Sequence, residues 1–197
     1  MANEYVDRAT LKLALGLTDT DRDALLDYAL AAASRAIDRM TGRRFWLDPA
    51  PVQRVFHPYD RTVRDGDSEQ LLVHDIGSDE GLVVEFASGG PWNTVTGYET
   101  TPDNALADGL PITGLLTPYG SWGHGRGARV RVTARWGWPT VPEEVAQATL
   151  IQATRLFRRK DSPEGVTGSA EWGAIRLSRV DPDVAALVEH LTLPGFG

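Results

Sequence analysis

A chain of 197 residues with 42% apolar content can bury a real core, either as one domain or as one domain carrying a sizeable insertion. It has no cysteine, which excludes disulfides, thiol nucleophiles and cysteine metal sites together, and 20 basic against 27 acidic residues (net −7) argue against a protein whose main task is gripping nucleic acid phosphates. The opening MANEYVDRAT lacks the apolar core of a signal peptide and no run of about 18 apolar residues marks a membrane span, so a soluble chain with no membrane partner is expected.

Asp7 predicts the cap of a short helix, ATLKLAL, ended by Gly16. A long helix over 20–41 follows, in which Leu26, Ala29, Leu30, Ala33, Ala36, Ile37 and Met40 recur at three and four residues and make one apolar stripe. Thr20 and Asp23 read as a variant capping box, and Gly42 with Arg39, Arg43 and Arg44 as the stop. After Arg44 the helical period is lost until Pro139. VQRVFH at 52–57, QLLVH at 70–74, LVVEF at 82–86 and TVTGYET at 94–100 read as short strands between polar, Gly- and Pro-rich clusters. The clearest strand is 129–136: Val130, Val132, Ala134 and Trp136 alternate with Arg129, Arg131, Thr133 and Arg135.

Helix returns at Val141-Pro142-Glu143-Glu144, with proline and two acids in the first turn, and Ala146, Leu150, Ala153 and Phe157 give it an apolar arc suited to cover the stripe on 20–41. The expected contact runs through Leu30, Ala33, Ile37, Leu150, Ala153 and Phe157. WGAIRLSRV suggests a strand or half a hairpin, and Asp181-Pro182 caps a last helix. The fold class expected is therefore α+β: a helical core from both ends of the chain (1–46 and 136–197) with a β-rich insertion (47–135) between the second and third helices.

Little in the sequence points to catalysis. His57, His74, His124 and His190 are scattered, with no metal-ligand spacing, and neither a G-x-S-x-G elbow nor H-E-x-x-H is present. Ser121-Trp122-Gly123-His124-Gly125-Arg126-Gly127 has the composition of an anion cradle, but it leads into a strand, whereas phosphate loops feed a helix N-terminus, so a flexible hairpin loop is the reading preferred. No catalytic residue, cofactor or metal is expected. Charge is more informative: acids crowd 60–85 (Asp60, Asp65, Asp67, Glu69, Asp75, Asp79, Glu80, Glu85), while Arg126, Arg129, Arg131 and Arg135 occupy 121–138 without an acid. This division is either two solvated faces or complementary surfaces on neighbouring copies, Arg129, Arg131 and Arg135 of one meeting Asp65, Asp67 and Glu69 of the next.

The opening YVDRATLKLALGLTDTDRDALLDYALAAASRAIDRMTGRRF, the segment WGWPTVPEEVAQATLIQATRLFRR and the closing GAIRLSRVDPDVAALVEHL together resemble the head-tail connector (adaptor, head completion) proteins of long-tailed double-stranded DNA phages, of the actinobacterial phage or prophage type. The resemblance implies a structural virion protein of the phage neck, made in the host cytoplasm. It implies a homo-oligomeric ring of about a dozen copies, closed by a heterologous interface, seated between the portal protein and a stopper or tail completion protein, with genomic DNA passing through the axis without sequence-specific binding. In that setting Leu193 and Phe196, in a tail that Pro194 and Gly195 keep out of the last helix, are candidate anchors on a neighbour. Two other readings stay open: a glycan- or partner-binding module using Trp92, Tyr98, Tyr119 and Trp122, and a hydrolase assembled from distant groups such as His124 and Glu85.

Overall fold

The computed structural model describes residues 3–117, 120–159, 166–167, 175–176 and 181–193. The fold is α+β, with a β-rich insertion between the second and third helices. The chain forms two compact units, Met1–Phe45 with Val141–Gly197 and Trp46–Thr140.

In the helical unit, α1 (Arg8–Leu15) starts where Asp7 accepts a hydrogen bond from the Thr10 N–H at 2.7 Å and ends at Gly16 in the left-handed conformation. That bond holds the Asp7 carboxyl below its ordinary 3.8. Its stabilisation is therefore present above that pH and lost as pH falls through the depressed value. Asp7→Ala should cost about 1 kcal/mol at neutral pH, and the gap in melting temperature from wild type should close in acid.

The second helix, α2 (Asp23–Thr41), begins three residues later than its sequence suggests. Thr20 does not cap it. Arg22 holds the cap position without a side-chain bond, and Asp23 turns instead to α1, taking Lys12 Nζ at 2.8 Å and Arg8 Nε at 3.5 Å. A carboxylate with two cations in reach gains more from them than from one backbone amide. The buried face of α2 holds Leu26, Ala29, Leu30, Ala33 and Ile37 of the expected stripe, with Ser34 and Thr41 also buried, whereas Ala36 and Met40 are only half-buried. It packs on α3 (Glu143–Arg159), where Leu30, Ala33, Ala153 and Phe157 share one core with Leu11 and Leu26, Leu150 lying alongside. Ile37 is fully buried further along the helix. The segment before α1 is tied to α2 as well: Tyr5 N–H donates to Ser34 Oγ (3.2 Å), and its hydroxyl donates to Asp38 while accepting from the Phe45 N–H (3.0 Å). Burial, reinforced by Asp38, pushes the Tyr5 phenol well above its usual range. The last helix, α4 (Pro182–Val188), is capped by Asp181, packs on α3 with Val184 and Val188 buried, and is followed by a 3-10 turn, Glu189–Leu191.

The insertion holds an antiparallel sheet built on β1 (Val52–Phe56), β2 (Thr62–Asp65), β3 (Ser68–Ser88), β4 (Asn93–Thr94), β5 (Glu99–Thr101), β6 (Ile112–Thr117) and β7 (Ala128–Trp136). The main order is β1-β7-β3-β6-β5, with β2 and β4 also pairing with β3. The runs at 70–74 and 82–86 are not two strands. They are the two ends of β3, which passes through the polar Ser78–Gly81 stretch with register shifts, pairing first with β2 and β6 and then with β7 and β4. Along β7 every second side chain is buried, as the alternation predicts, and Phe56, Leu71, Ile76, Val84, Leu115, Trp122 and Trp136 close the core with Val130 and Val132. Gly137, at φ +114, lets the chain leave β7: a Cβ there would overlap the Trp46 carbonyl and stand 3.1 Å from the Leu47 Cα. A separate pair, β8 (Val166–Thr167) and β9 (Ile175–Arg176), is antiparallel, and β9 falls inside the WGAIRLSRV run. Among the described residues no helix is long and apolar enough to cross a membrane.

Candidate functional site

The arginine row of β7 does not stand free in solvent. Arg131 makes a two-pronged contact with Glu85 on β3, Nε to Oε2 at 2.6 Å and Nη2 to Oε1 at 2.5 Å, and its guanidinium lies 4.4 Å from the Trp92 ring centroid. The hydrogen bonds hold the Glu85 carboxyl below its ordinary range and raise the Arg131 guanidinium. Arg135 reaches Glu80 at 3.1 Å and donates to the Asp48 carbonyl at 3.0 Å, and Arg129 donates to the carbonyls of Arg126 (2.7 Å) and Ala128 (2.8 Å). Two acids of the 60–85 run, Glu80 and Glu85, thus meet arginines of their own chain, because β7 and β3 are adjacent strands. Sequence separation hid this: Arg131 and Glu85 are 46 positions apart.

Of the three acids expected opposite the arginines, Asp65 ends β2, Asp67 is exposed in the turn before β3, and Glu69 is buried, only 1% of its side chain reaching solvent. Glu69 is a correction to the surface reading. Its carboxylate accepts the Trp122 N–H at 2.6 Å and stands 3.1 Å from His124 Nε2. It fixes the Ser121–Gly127 run, because Trp122 enters the core at 2% exposure and donates its indole N–H to the Leu115 carbonyl. The loop is therefore pinned at its start rather than flexible, and Trp122 is lost as an exposed platform. Trp92 is engaged by Arg131, Tyr98 is half-buried against the sheet core with its phenol raised by burial, and Tyr119 lies outside the described residues.

Ser121, His124 and Glu69 have the composition of a hydrolytic trio but not its geometry. The Ser121 hydroxyl (3.2 Å) and the Glu69 carboxylate both face the same nitrogen, His124 Nε2, whereas a relay needs one partner on each ring nitrogen. Among the described residues no group of three or more His, Asp or Glu is placed to hold a metal ion.

At the end of the helical unit, Leu193 N–H donates to the Thr41 carbonyl at 2.8 Å, and Arg43 Nε to the Leu191 carbonyl at 2.7 Å. Leu193 is thus anchored over the end of α2 with 37% of its surface exposed, and Phe196 lies outside the described residues. One feature was missed in the sequence. Ala24, Leu25, Tyr28 and Ala32 form an exposed line on α2 opposite the buried stripe, Tyr28 being 75% exposed, and Leu13 on α1 is 84% exposed. The signal was the three-residue step from Leu25 to Tyr28, off the main stripe.

No known family profile matches the sequence, and no curated protein matches it. Two solved structures are similar over nearly the whole chain. One is described as the neck of an empty gene transfer agent (GTA) particle computed with C6 symmetry: TM-score 0.55, 20% identity, 96% of this chain and 90% of that one. The other is the virion of a native GTA particle: TM-score 0.54, 20% identity, with the same coverage. The fold is shared. The likeness takes in both the helical unit and the insertion, since 96% of the chain leaves neither out.

Proposed function

We propose that this protein is a non-catalytic structural component of a particle neck, a subunit of a ring that joins the portal of a DNA-filled head to the next neck or tail component and lets DNA pass along its axis. The observation carrying this reading is the near full-length fold likeness to chains of GTA neck and virion particles, reached independently of the sequence signatures at both ends of the chain. Rotational symmetry of the kind named for one of those necks is what a heterologous interface produces when it closes, and about a dozen copies is compatible with it. A net charge of −7 repels the DNA backbone and favours sliding over gripping.

Within this reading the exposed line on α2 is the better neighbour contact, since Arg131 and Arg135 are engaged inside their own sheet. Imaging of the purified protein, alone and mixed with portal, tests the whole proposal. Rings in either sample are expected, and a monomer in both would sink it. Tyr28→Glu should block ring formation without moving the melting temperature, and rings should survive 1 M salt, where the screening length falls to about 3 Å. Rings that dissolve in salt yet tolerate Tyr28→Glu would move the contact to Arg129, Asp65 and Asp67.

The segment after Leu193 is proposed to dock on portal or on the next neck protein through Phe196, a buried aromatic anchor being worth more than rim contacts. A chain ending at Leu193 keeps the bond to Thr41, so it should melt like the full chain while losing that binding. Equal binding by the truncated chain would leave Phe196 with no role.

A further inference from the structure

Two uncharged faces of the helical unit open on different sides of the α1–α2 pair. The charged residues of α1, Arg8 and Lys12, are both turned to α2: Arg8 stands 2.8 Å from Asp27 and 3.5 Å from Asp23, and Lys12 stands 2.8 Å from Asp23. What α1 leaves to solvent is Ala9, Thr10, Leu13 and Ala14, with Leu13 on the far side from the buried Leu11. Side chains turn by about 100° per residue round a helix, so on α2 the exposed Leu25, Tyr28 and Ala32 stand about a third to a half of a turn round from the Asp23 and Asp27 that face α1. Each face covers about two helical turns, and the one on α2 stops before Arg35 and Arg39. The outward face of a surface helix ordinarily carries charged and polar groups. Here one flank of the pair presents Leu13 and the other Tyr28, and neither row holds a charged residue.

We infer that these two faces are the two halves of one contact between copies: the outer face of α1, centred on Leu13, seats beside Tyr28 on the α2 line of the next copy. This rests on the ring reading above and names the surface that meets the α2 line. Unlike patches on different flanks of one unit join head to tail and repeat by rotation, which a self-complementary patch does not do. The shapes suit such a joint. Ala24 and Ala32 leave low shoulders on either side of Tyr28, so two helix axes can approach to about 8–10 Å while the leucine and the tyrosine interlock. A second copy is the occupant because one chain carries both halves, matched in length and in their lack of charge. With Arg8 and Lys12 already paired to Asp23 and Asp27, neither row brings a charge to be desolvated, so apolar burial holds the contact.

The chain has no cysteine of its own, so introduced thiols report the contact directly. Full-length Leu13→Cys and Tyr28→Cys chains, mixed in the presence of portal and oxidised, should give a cross-linked dimer that neither variant gives alone. Asp67→Cys in place of Leu13→Cys should give none. Leu13→Asp should weaken association about tenfold or more, as an apolar anchor at the centre of a contact would, with the helical circular dichroism unchanged. Electron micrographs of the same samples separate the two levels of the reading. Rings without a cross-link between positions 13 and 28, a cross-link in either single variant alone, or normal rings from Leu13→Asp would each overturn this contact and leave the ring standing. No rings from the unsubstituted chain, with or without portal, would overturn both.

Discussion

Phe157→Ala should remove about 3–5 kcal/mol of stability, the usual range for truncating a buried phenylalanine, and leave the helical unit close to unfolding. Phe157 is 7% exposed and closes the core that Leu26, Leu30 and Ala33 of α2 form with Ala153 of α3. The alanines on that face cannot fill the void, since they bring the helices close but carry only a fixed methyl with no rotamer to change. Because most domains are stable by only about 5–15 kcal/mol, the loss should be visible as a large drop in the helical circular dichroism transition. Leu13→Ala is the matched control: Leu13 is 84% exposed, so its truncation should change stability by less than about 0.5 kcal/mol. Equal melting of the two variants would mean that the packed face of α3 has been wrongly assigned.

What was legible in the sequence follows the range of the interactions. The helices are set by neighbours three and four residues apart, so the stripe on α2, the Asp7 and Asp181 caps and the glycine stops at Gly16 and Gly42 could be read directly. The alternation along β7 could be read for the same reason. The helix start at Asp23 could not, because ion pairs from α1 decide it. Strand β2 was passed over although Gly66-Asp67, with Gly66 at φ +58, is a two-residue hairpin turn across which the Thr62–Asp65 ladder runs back on Ser68–Leu71. β6 was hidden by the glycine at 114, which packs under the Gln70 and Thr101 side chains where no Cβ would fit. The contact residues were the least legible. Whether an acid stays exposed, meets an arginine of its own sheet or enters the core depends on strand pairing, and Asp67, Glu85 and Glu69 show the three outcomes within one acidic run.

Glu69→Ala should cost about 3 kcal/mol, whereas Glu69→Gln should cost no more than about 1. The side chain is almost wholly buried, and its carboxylate takes the Trp122 N–H at 2.6 Å, so alanine strands a buried donor and also leaves a space where the side chain lay. Glutamine has nearly the same shape and keeps an acceptor oxygen for that N–H; it changes only the contact to His124, whose side chain is 54% exposed. His124→Ala should accordingly stay within about 0.5 kcal/mol of wild type. The indole N–H resonance of Trp122 separates these cases locally, because its bond to the Leu115 carbonyl persists only while the loop is pinned. In the alanine variant that resonance should broaden or shift, and the amides of Gly123 and Gly125 should exchange faster. A wild-type melting temperature and an unmoved Trp122 resonance in Glu69→Ala would show that the tryptophan holds the loop by itself. The buried acid would then be tolerated there rather than required.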